Sequence, residues 1–594
     1  MELDTGIKAK GHQESWIGKK IDVKYWGCLG AIFALIFFFQ YSFLHYLKIA
    51  SDTGYHLANQ ELANRLGLYY IKIMPFWWLS DVMGGWWLKF SESYGLWGAK
   101  MGGVLALGTI GVISANTIFQ LYKPSIGVVC AMALAAFALP YDLIYYHSVP
   151  TLFFAIFCLY FVKLHLNPHN TLYQILSGLS FVLLVFSRMP LIGALLMFPL
   201  ILLICFWYDK KQLAVLTSSY LRVLGVILAS FVLFACYLQT QDLLRSYIIY
   251  QTPTKYHSIS ALFEVLFGHL FKKIPYLIGI GCVAFGFHWG IKRNLLSGKS
   301  GKWISVGFLV LTVFLILLYL KYPAVKELKV LLFQSVWPDN FDLYPILISI
   351  NIVYLCLMWS EINFSKIVLF LLGFSWPFLK GVGSATGLQC GIVVGFLLCG
   401  LTAVSLTRIA RSYECRIPLF CLGAVLFIII GGKAFKDNFD FRNTANIGVG
   451  KLEGIYTTPE RAENYRSLVK EMGRYVKKRD QIIAAPYIPL VYYATDTVPL
   501  GEHASLYFLD IEQFSKKLDR IAETSPPVLI VRAKVDSQDP LKQQKNFEWP
   551  ISEDFLDDLE QKNIVFSEKI LNRWNLELIW SNDHYDIYLP KKAL

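Results

Sequence analysis

Ser51-Asp52-Thr53-Gly54-Tyr55-His56-Leu57 places an ionisable carboxylate just beyond the first long apolar stretch of the chain. A carboxylate at the edge of a bilayer can take a proton from an attacking hydroxyl. General-base work of this kind contributes roughly 10²–10⁴-fold to a rate. The same residue could equally cap the helix-like run from Tyr55 to Leu66, or sit in solvent. His56, four residues on, shares a face with Asp52 if the helix starts early; it could orient the acid, contact a phosphate or ligate a metal. One Asp and one His make an incomplete metal site, so neither a metal nor another cofactor is expected. Glu61 and Asp81 follow in the same stretch. Either could be a second functional carboxylate; as structural residues they would mark a polar helix face and a helix start.

Cations recur where apolar segments end. Arg188, in Phe186-Ser187-Arg188-Met189-Pro190, lies between two apolar runs. A charge there is costly, and a lipid phosphate is a natural partner because guanidinium binds phosphate in a two-pronged fork. Snorkelling to ordinary headgroups is the alternative. Lys380 heads the Gly-rich turn Gly381-Val382-Gly383-Ser384-Ala385-Thr386-Gly387, whose backbone N–H groups could join the ammonium in holding an anion. Tyr141, Asp142, Tyr145, Tyr146 and His147 form a polar aromatic turn. They could stack on sugar faces and bond hydroxyls, or serve as belt residues at a span end. Arg245, Lys255, Lys272 and Lys273 read as headgroup contacts.

The elements that must position these groups are membrane spans. The 594-residue chain is 55% hydrophobic and 16% charged, with a mean hydropathy of +0.47, which describes a polytopic membrane protein. A window of roughly twenty apolar residues finds about thirteen spans, centred near Ala34, Leu107, Met132, Phe157, Val182, Pro199, Ala229, Gly281, Thr312, Asn351, Phe370, Phe396 and Phe427. The first reads as an uncleaved anchor. From Phe435 onward the chain has 22 basic and 25 acidic residues, so the net charge of +13 comes from the membrane part. That pattern belongs to topology and lipid headgroups, and no nucleic-acid partner is expected. Lys8, Lys10, Lys19, Lys20 and Lys24, then Lys210 and Lys211, then Lys292, Arg293, Lys299 and Lys302, then Arg408, Arg411 and Arg416 all fall on one side. The positive-inside rule makes that side cytoplasmic. An odd span count then puts the C-terminus outside, as it puts loops 49–95, 239–273, 321–342 and 380–388. Ile73-Met74-Pro75-Phe76-Trp77-Trp78 and Trp86-Trp87 in the first loop suit the headgroup layer, as anchors or as a jaw beside a lipid cleft.

Residues 1–24 are therefore expected to be a cytoplasmic segment, 25–434 a transmembrane domain and 435–594 an extracytoplasmic α/β domain. In the last, Pro459 to Arg479 reads as a helix. Ile482-Ile483-Ala484-Ala485, Pro526 to Val531 and Tyr585 to Leu589 read as strands, and Asp510 to Glu523 as a second helix. All 11 cysteines lie at or before Cys421, so no disulfide framework holds this domain. It contains no Gly-rich phosphate loop or nucleophile elbow, and is expected to cover or select rather than catalyse.

Asp52-Thr53-Gly54-Tyr55-His56-Leu57 after the first span, many further spans and an outward C-terminal domain resemble the C-type (GT-C) integral membrane glycosyltransferases. The layout is similar to that of protein mannosyltransferases and lipid A aminoarabinose transferases. Phe441-Arg442, Gly454 to Ala462 and Pro486 to Asp496 resemble the junction and tail of bacterial members. The resemblance implies inverting transfer of one sugar from a polyprenyl-phosphate donor to a lipid, glycan or protein acceptor outside the cytoplasm of a bacterial inner membrane. It maps the general base to Asp52 and the donor phosphate to Arg188 and Lys380. His56, Asp81, Tyr145 and His147 remain substrate-binding candidates. Several members carry an acidic pair in the first loop, whereas Asp52 is followed by Thr53. The rival readings are a lipid-linked glycan transporter or scaffold, and a glycan polymerase or ligase of the O-antigen type.

Overall fold

The computed structural model describes residues 22–46, 50–137, 147–208, 210–249, 362–381, 395–412, 444–485, 488–501, 511–524, 526–534 and 553–591, with short pieces at 143–144 and between 347 and 358. Helices fill the first part: α1 (Val23–Tyr41), α2 (Ala50–Leu66), α3 (Trp78–Ser91), α4 (Gly95–Phe119), α5 (Ile126–Phe137), α6 (Ser148–Leu166), α7 (Thr171–Ser187), α8 (Met197–Tyr208), α9 (Lys210–Thr240), α10 (Leu244–Ile249), α11 (Phe364–Gly381) and α12 (Phe396–Ser412). Among the described residues, Val23–Tyr41, Trp78–Phe119, Ser148–Leu166, Met189–Tyr208 and Lys210–Thr240 are long and apolar enough to cross a membrane. The chain is a multi-pass membrane protein. The expected centres at Ala34, Leu107, Met132, Phe157, Val182, Ala229, Phe370 and Phe396 fall within helices, and so does Pro199, in α8. Those at Gly281, Thr312 and Phe427 lie outside the described residues.

Side chains from α1, α4, α5, α6, α7, α8, α9, α11 and α12 share one apolar core. Polar groups inside it pair with one another. His165 on α6 meets the Phe161 carbonyl through Nδ1 at 2.7 Å and the Tyr220 hydroxyl on α9 through Nε2 at 2.7 Å. A carbonyl only accepts, so Nδ1 carries the proton and the tyrosine donates to Nε2. Asn351 donates to Thr402 Oγ1 at 2.8 Å and accepts from Ser405 at 2.7 Å.

The C-terminal domain carries α13 (Pro459–Met472), α14 (Leu490–Ala494), α15 (Ile511–Ala522) and α16 (Glu553–Phe566). A short antiparallel pair joins β1 (Ala445–Asn446) to β2 (Tyr456–Thr457). The five-stranded sheet holds β3 (Gln481–Ala485), β4 (Val498–Pro499), β5 (Leu529–Ala533), β6 (Leu576–Ser581) and β7 (Tyr585–Pro590), in the order β4-β3-β5-β7-β6. β3 runs parallel to β4 and β5, and β7 antiparallel to β5 and β6. The expected strands and the helix before β5 are present. The helix from Pro459 stops at Met472, where Gly473 forms its C-cap, instead of continuing to Arg479.

Period-two alternation gives the sheet two apolar faces. Ile483, Ala485 and Ile530 pack under α15 and α16 through Phe514, Leu518, Ile521 and Phe566. The opposite face, with Ile482, Ala484, Leu529, Val531 and Ile587, packs on Leu468 and Met472 of α13 and also on Tyr55 and Ala58 of α2. The core of the C-terminal domain thus includes a helix from the other end of the sequence.

Tyr220→Phe removes the donor to His165 while keeping the ring stack with Phe161 (centroids 5.5 Å apart). It is expected to lower stability by about 0.6–2 kcal/mol, the range for hydrogen bonds between membrane helices. Thermal unfolding of the purified protein in detergent reads this, and unchanged stability would show that the bond does not hold α6 to α9.

Candidate functional site

The site is built around α2. This helix is polar, yet Thr53 to Gln60 are all buried, including Thr53, His56, Asn59 and Gln60. Its apolar residues are interspersed with polar ones, so the buried polar groups must be satisfied by neighbours one by one. Gln60 donates to the Ile144 carbonyl at 2.5 Å, and Asn64 to the Gly85 carbonyl at 2.5 Å. Backbones approach closely on two sides. A Cβ at Gly54 would collide with the backbone of Leu490 in α14, and one at Gly85 would stand 2.6 Å from the Gln60 carbonyl oxygen.

The described part of this helix runs from Ala50, so Asp52 lies on the helix and does not precede it. His56 follows one turn later. Its ring is 1% exposed, edge-on to Tyr55 at 5.3 Å and within electrostatic range of Asp81.

Asp81 lies in the first turn of α3, as expected of a helix start, and is wholly buried. Its Oδ2 accepts from the Tyr70 hydroxyl at 2.5 Å. The next link runs to α7: Ser80 Oγ donates to the Ser187 carbonyl at 2.8 Å, and the Met189 amide donates to the Phe76 carbonyl at 2.8 Å. Arg188, between those two contacts, is the extended C-cap of α7 and is 3% exposed. The next helical turn, Met189–Leu196, follows it directly, with Pro190 in its first positions. The structure thus brings His56, Asp81 and Arg188 onto one packed unit of α2, α3 and the end of α7.

His147 is buried at the start of α6, its carbonyl accepting from Thr151 Oγ1 at 2.6 Å. Lys380 lies on α11. Tyr145, with Tyr141, Asp142 and Tyr146, lies outside the described residues, as does the turn from Val382. Glu61 lines a small cavity between α2 and the C-terminal domain with Lys451, Tyr493 and Asp496. There Lys451 pairs with Asp496 and sits 4.8 Å above the Tyr493 ring. Among the described residues, no three His, Cys, Asp or Glu side chains gather as a metal site.

Aromatic residues of the first loop divide by direction. Trp78 stacks on Phe234 at 5.5 Å, and Trp87 Nε1 donates to the Gly98 carbonyl at 2.9 Å. Trp86, Phe90 and Tyr94 project outward, whereas Ser80, Asp81, Gly84 and Gly85 face in. This inside-out pattern suits a helix with an apolar surround.

Two residues were missed by sequence reasoning. Tyr70 partners Asp81. Lys100 on α4 is 1% exposed and donates to the Tyr46 carbonyl at 2.5 Å and the Leu44 carbonyl at 3.3 Å. A single lysine in a Gly-rich apolar span was its signal.

No protein-family model and no curated protein sequence matches the chain. Solved structures do. The oligosaccharyltransferase AglB of Archaeoglobus fulgidus, in complex with an inhibitory peptide and a dolichol-phosphate, is 11% identical, over 97% of this chain and 75% of that one, with a TM-score of 0.43. An Archaeoglobus fulgidus oligosaccharyltransferase complex with Zn and sulfate is 13% identical, over 90% and 70%, also at 0.43. ArnT from Cupriavidus metallidurans in the apo state is 9% identical, over 95% and 97%, at 0.38. The superpositions are loose, and the geometry of α2, Asp81 and Arg188 stands independently of them.

Tyr70→Phe leaves a buried carboxylate short of a donor and is expected to cost about 1–3 kcal/mol. Denaturation in detergent measures this, and an undiminished midpoint would show that the Asp81 carboxylate finds another donor.

Proposed function

We propose that the chain transfers a sugar from a polyprenyl-phosphate donor to an extracytoplasmic acceptor, with inversion and with Asp52 as general base. Asp52 takes the proton of the acceptor hydroxyl as that oxygen attacks the anomeric carbon. The bond from that carbon to the phosphate oxygen breaks, and the polyprenyl phosphate leaves with the electron pair. Arg188 holds the phosphate and offsets the charge that grows on it, with Lys380 as a second cation. Fixed charges aimed at a developing anion usually give the largest catalytic contribution. Asp81 and Tyr70 act as positioning residues, since their mutual bond occupies the buried side of α3.

The observation that carries this reading is the packing of α3. It touches both α2 and the Arg188 end of α7, so the acid-bearing helix and the buried guanidinium belong to one packed unit. The acceptor could be a lipid, a glycan or a protein, and the setting we propose is a bacterial inner membrane with the C-terminal domain in the periplasm.

Purified protein in lipid, offered a panel of radiolabelled polyprenyl-phosphate sugars, tests it. Asp52→Asn should lower transfer or hydrolysis by roughly 10²–10⁴-fold while retaining the fold and donor binding. Arg188→Ala should weaken both donor binding and turnover. Wild-type turnover in Asp52→Asn would remove Asp52 from the mechanism. If activity then fell only in Arg188→Ala, a polymerase or ligase mechanism built on the basic loops would take its place.

A further inference from the structure

The C-terminal domain touches the chain on both sides of Asp52. Before it, Tyr46 forms a parallel bridge with Tyr456, whose amide donates to the His45 carbonyl at 2.6 Å. His45 Nδ1 also reaches the Gly454 carbonyl at 3.3 Å. After it, Gly54 lies directly on the Leu490 backbone, and Tyr55 and Ala58 fill the sheet core beside Val491 and Tyr492. Leu57 enters a second apolar cluster with Leu490, Tyr493, Ile447 and Tyr465. From the membrane side, Lys100 pins the carbonyls of Leu44 and Tyr46.

We propose that the C-terminal domain fixes the helical turn that carries Asp52, gripping the chain before it through Tyr456 and after it through Leu490. The domain is then a positioning part of the catalytic apparatus. This rests on the reading of Asp52 as the base. The physical case has two parts. A short polar helix is not stable alone in water, because nucleation is costly and few residues repay it. The turn at Asp52 therefore takes its order from what it packs against. The packing at Gly54 is backbone to backbone, so no side-chain rotamer can absorb a displacement there. Any shift of α14 passes to α2 undiminished. A misplacement of about 1 Å originating away from the chemistry can cost 10²-fold in rate.

The test uses the full chain in lipid nanodiscs with two variants, one for each grip. Gly54→Ala drives a methyl into the Leu490 backbone, and Tyr456→Pro deletes the N–H donated to His45. Gly30→Ala, at a helix position with open space around it, is the control. Hydrogen–deuterium exchange over residues 50–58 reads the order of the turn and needs no substrate. Turnover of the polyprenyl-phosphate sugar used by the wild type reads its placement. We expect both variants to speed exchange in 50–58 while β3 and β5 stay protected. We also expect them to lower kcat by about 10²-fold with the donor KM unchanged, and Gly30→Ala to do neither. Unchanged exchange in 50–58 would overturn the proposal, as would faster exchange with undiminished kcat. Failure of the catalytic reading is separate: it shows as wild-type turnover in Asp52→Asn, whatever the exchange data give.

Discussion

The contact between Gly54 and the Leu490 backbone is the constraint on which the arrangement depends. It allows a polar helix to be enclosed between a membrane bundle and an α/β domain with almost no solvent on the run from Thr53 to Gln60. Burying such a helix is unfavourable unless each polar group finds a partner. The partners come from the membrane side, where Gln60 and Asn64 donate to the carbonyls of Ile144 and Gly85. Apolar closure comes from the other side, where Tyr55 and Ala58 complete the sheet core. The membrane side adds apolar contacts of its own, packing Leu62 and Ala63 with Tyr70, Trp78 and Val82, so α2 is enclosed where the two bodies meet.

The same logic explains the composition of α3. Its inward face is Ser80, Asp81, Gly84 and Gly85, small or polar residues that let it approach α2 closely. Its outward face carries Trp86 and Phe90. In water this pattern would be inside out. Beside lipid it is coherent, because exposed aromatic rings suit an apolar or interfacial surround and the inward polar groups are held by Tyr70 and the Ser187 carbonyl. The close approach in turn brings Asp81 within range of His56 and the α7 end within reach of α3.

Elements with a strong period were legible in the sequence. The spans around Ala34, Leu107, Phe157 and Ala229 declare themselves by length and hydropathy, and β3, β5 and β7 by short apolar or alternating runs. The α2 environment was not legible. Its residues read as the polar face of an exposed loop helix, because burial by a domain nearly four hundred residues later leaves no local trace. Asp52 and His56 were visible as residue types at helical spacing, whereas the grip around them was not. Gly54 appeared as part of a motif, and its reason, a backbone crossing, needs the partner in view. Lys100 was lost for a different cause: hydropathy averaged over a span hides a single charge.

Where polar groups lie bears on enzyme against transporter. A pathway across the membrane needs polar or ionisable groups continuing through the bundle, ready to be exchanged for a passing ligand. The pairs within the bundle, His165 with Tyr220 and Asn351 with Thr402 and Ser405, bond to one another and join neighbouring helices, which is the behaviour of interhelical glue. Among the described residues, Asp81, His56 and Arg188 lie on the packed unit of α2, α3 and the α7 end, and Lys100 on α4 holds the segment before α2 that the C-terminal domain touches. Among the described residues, this charge stands beside a helix held from both sides, which is the arrangement the proposed transfer draws on.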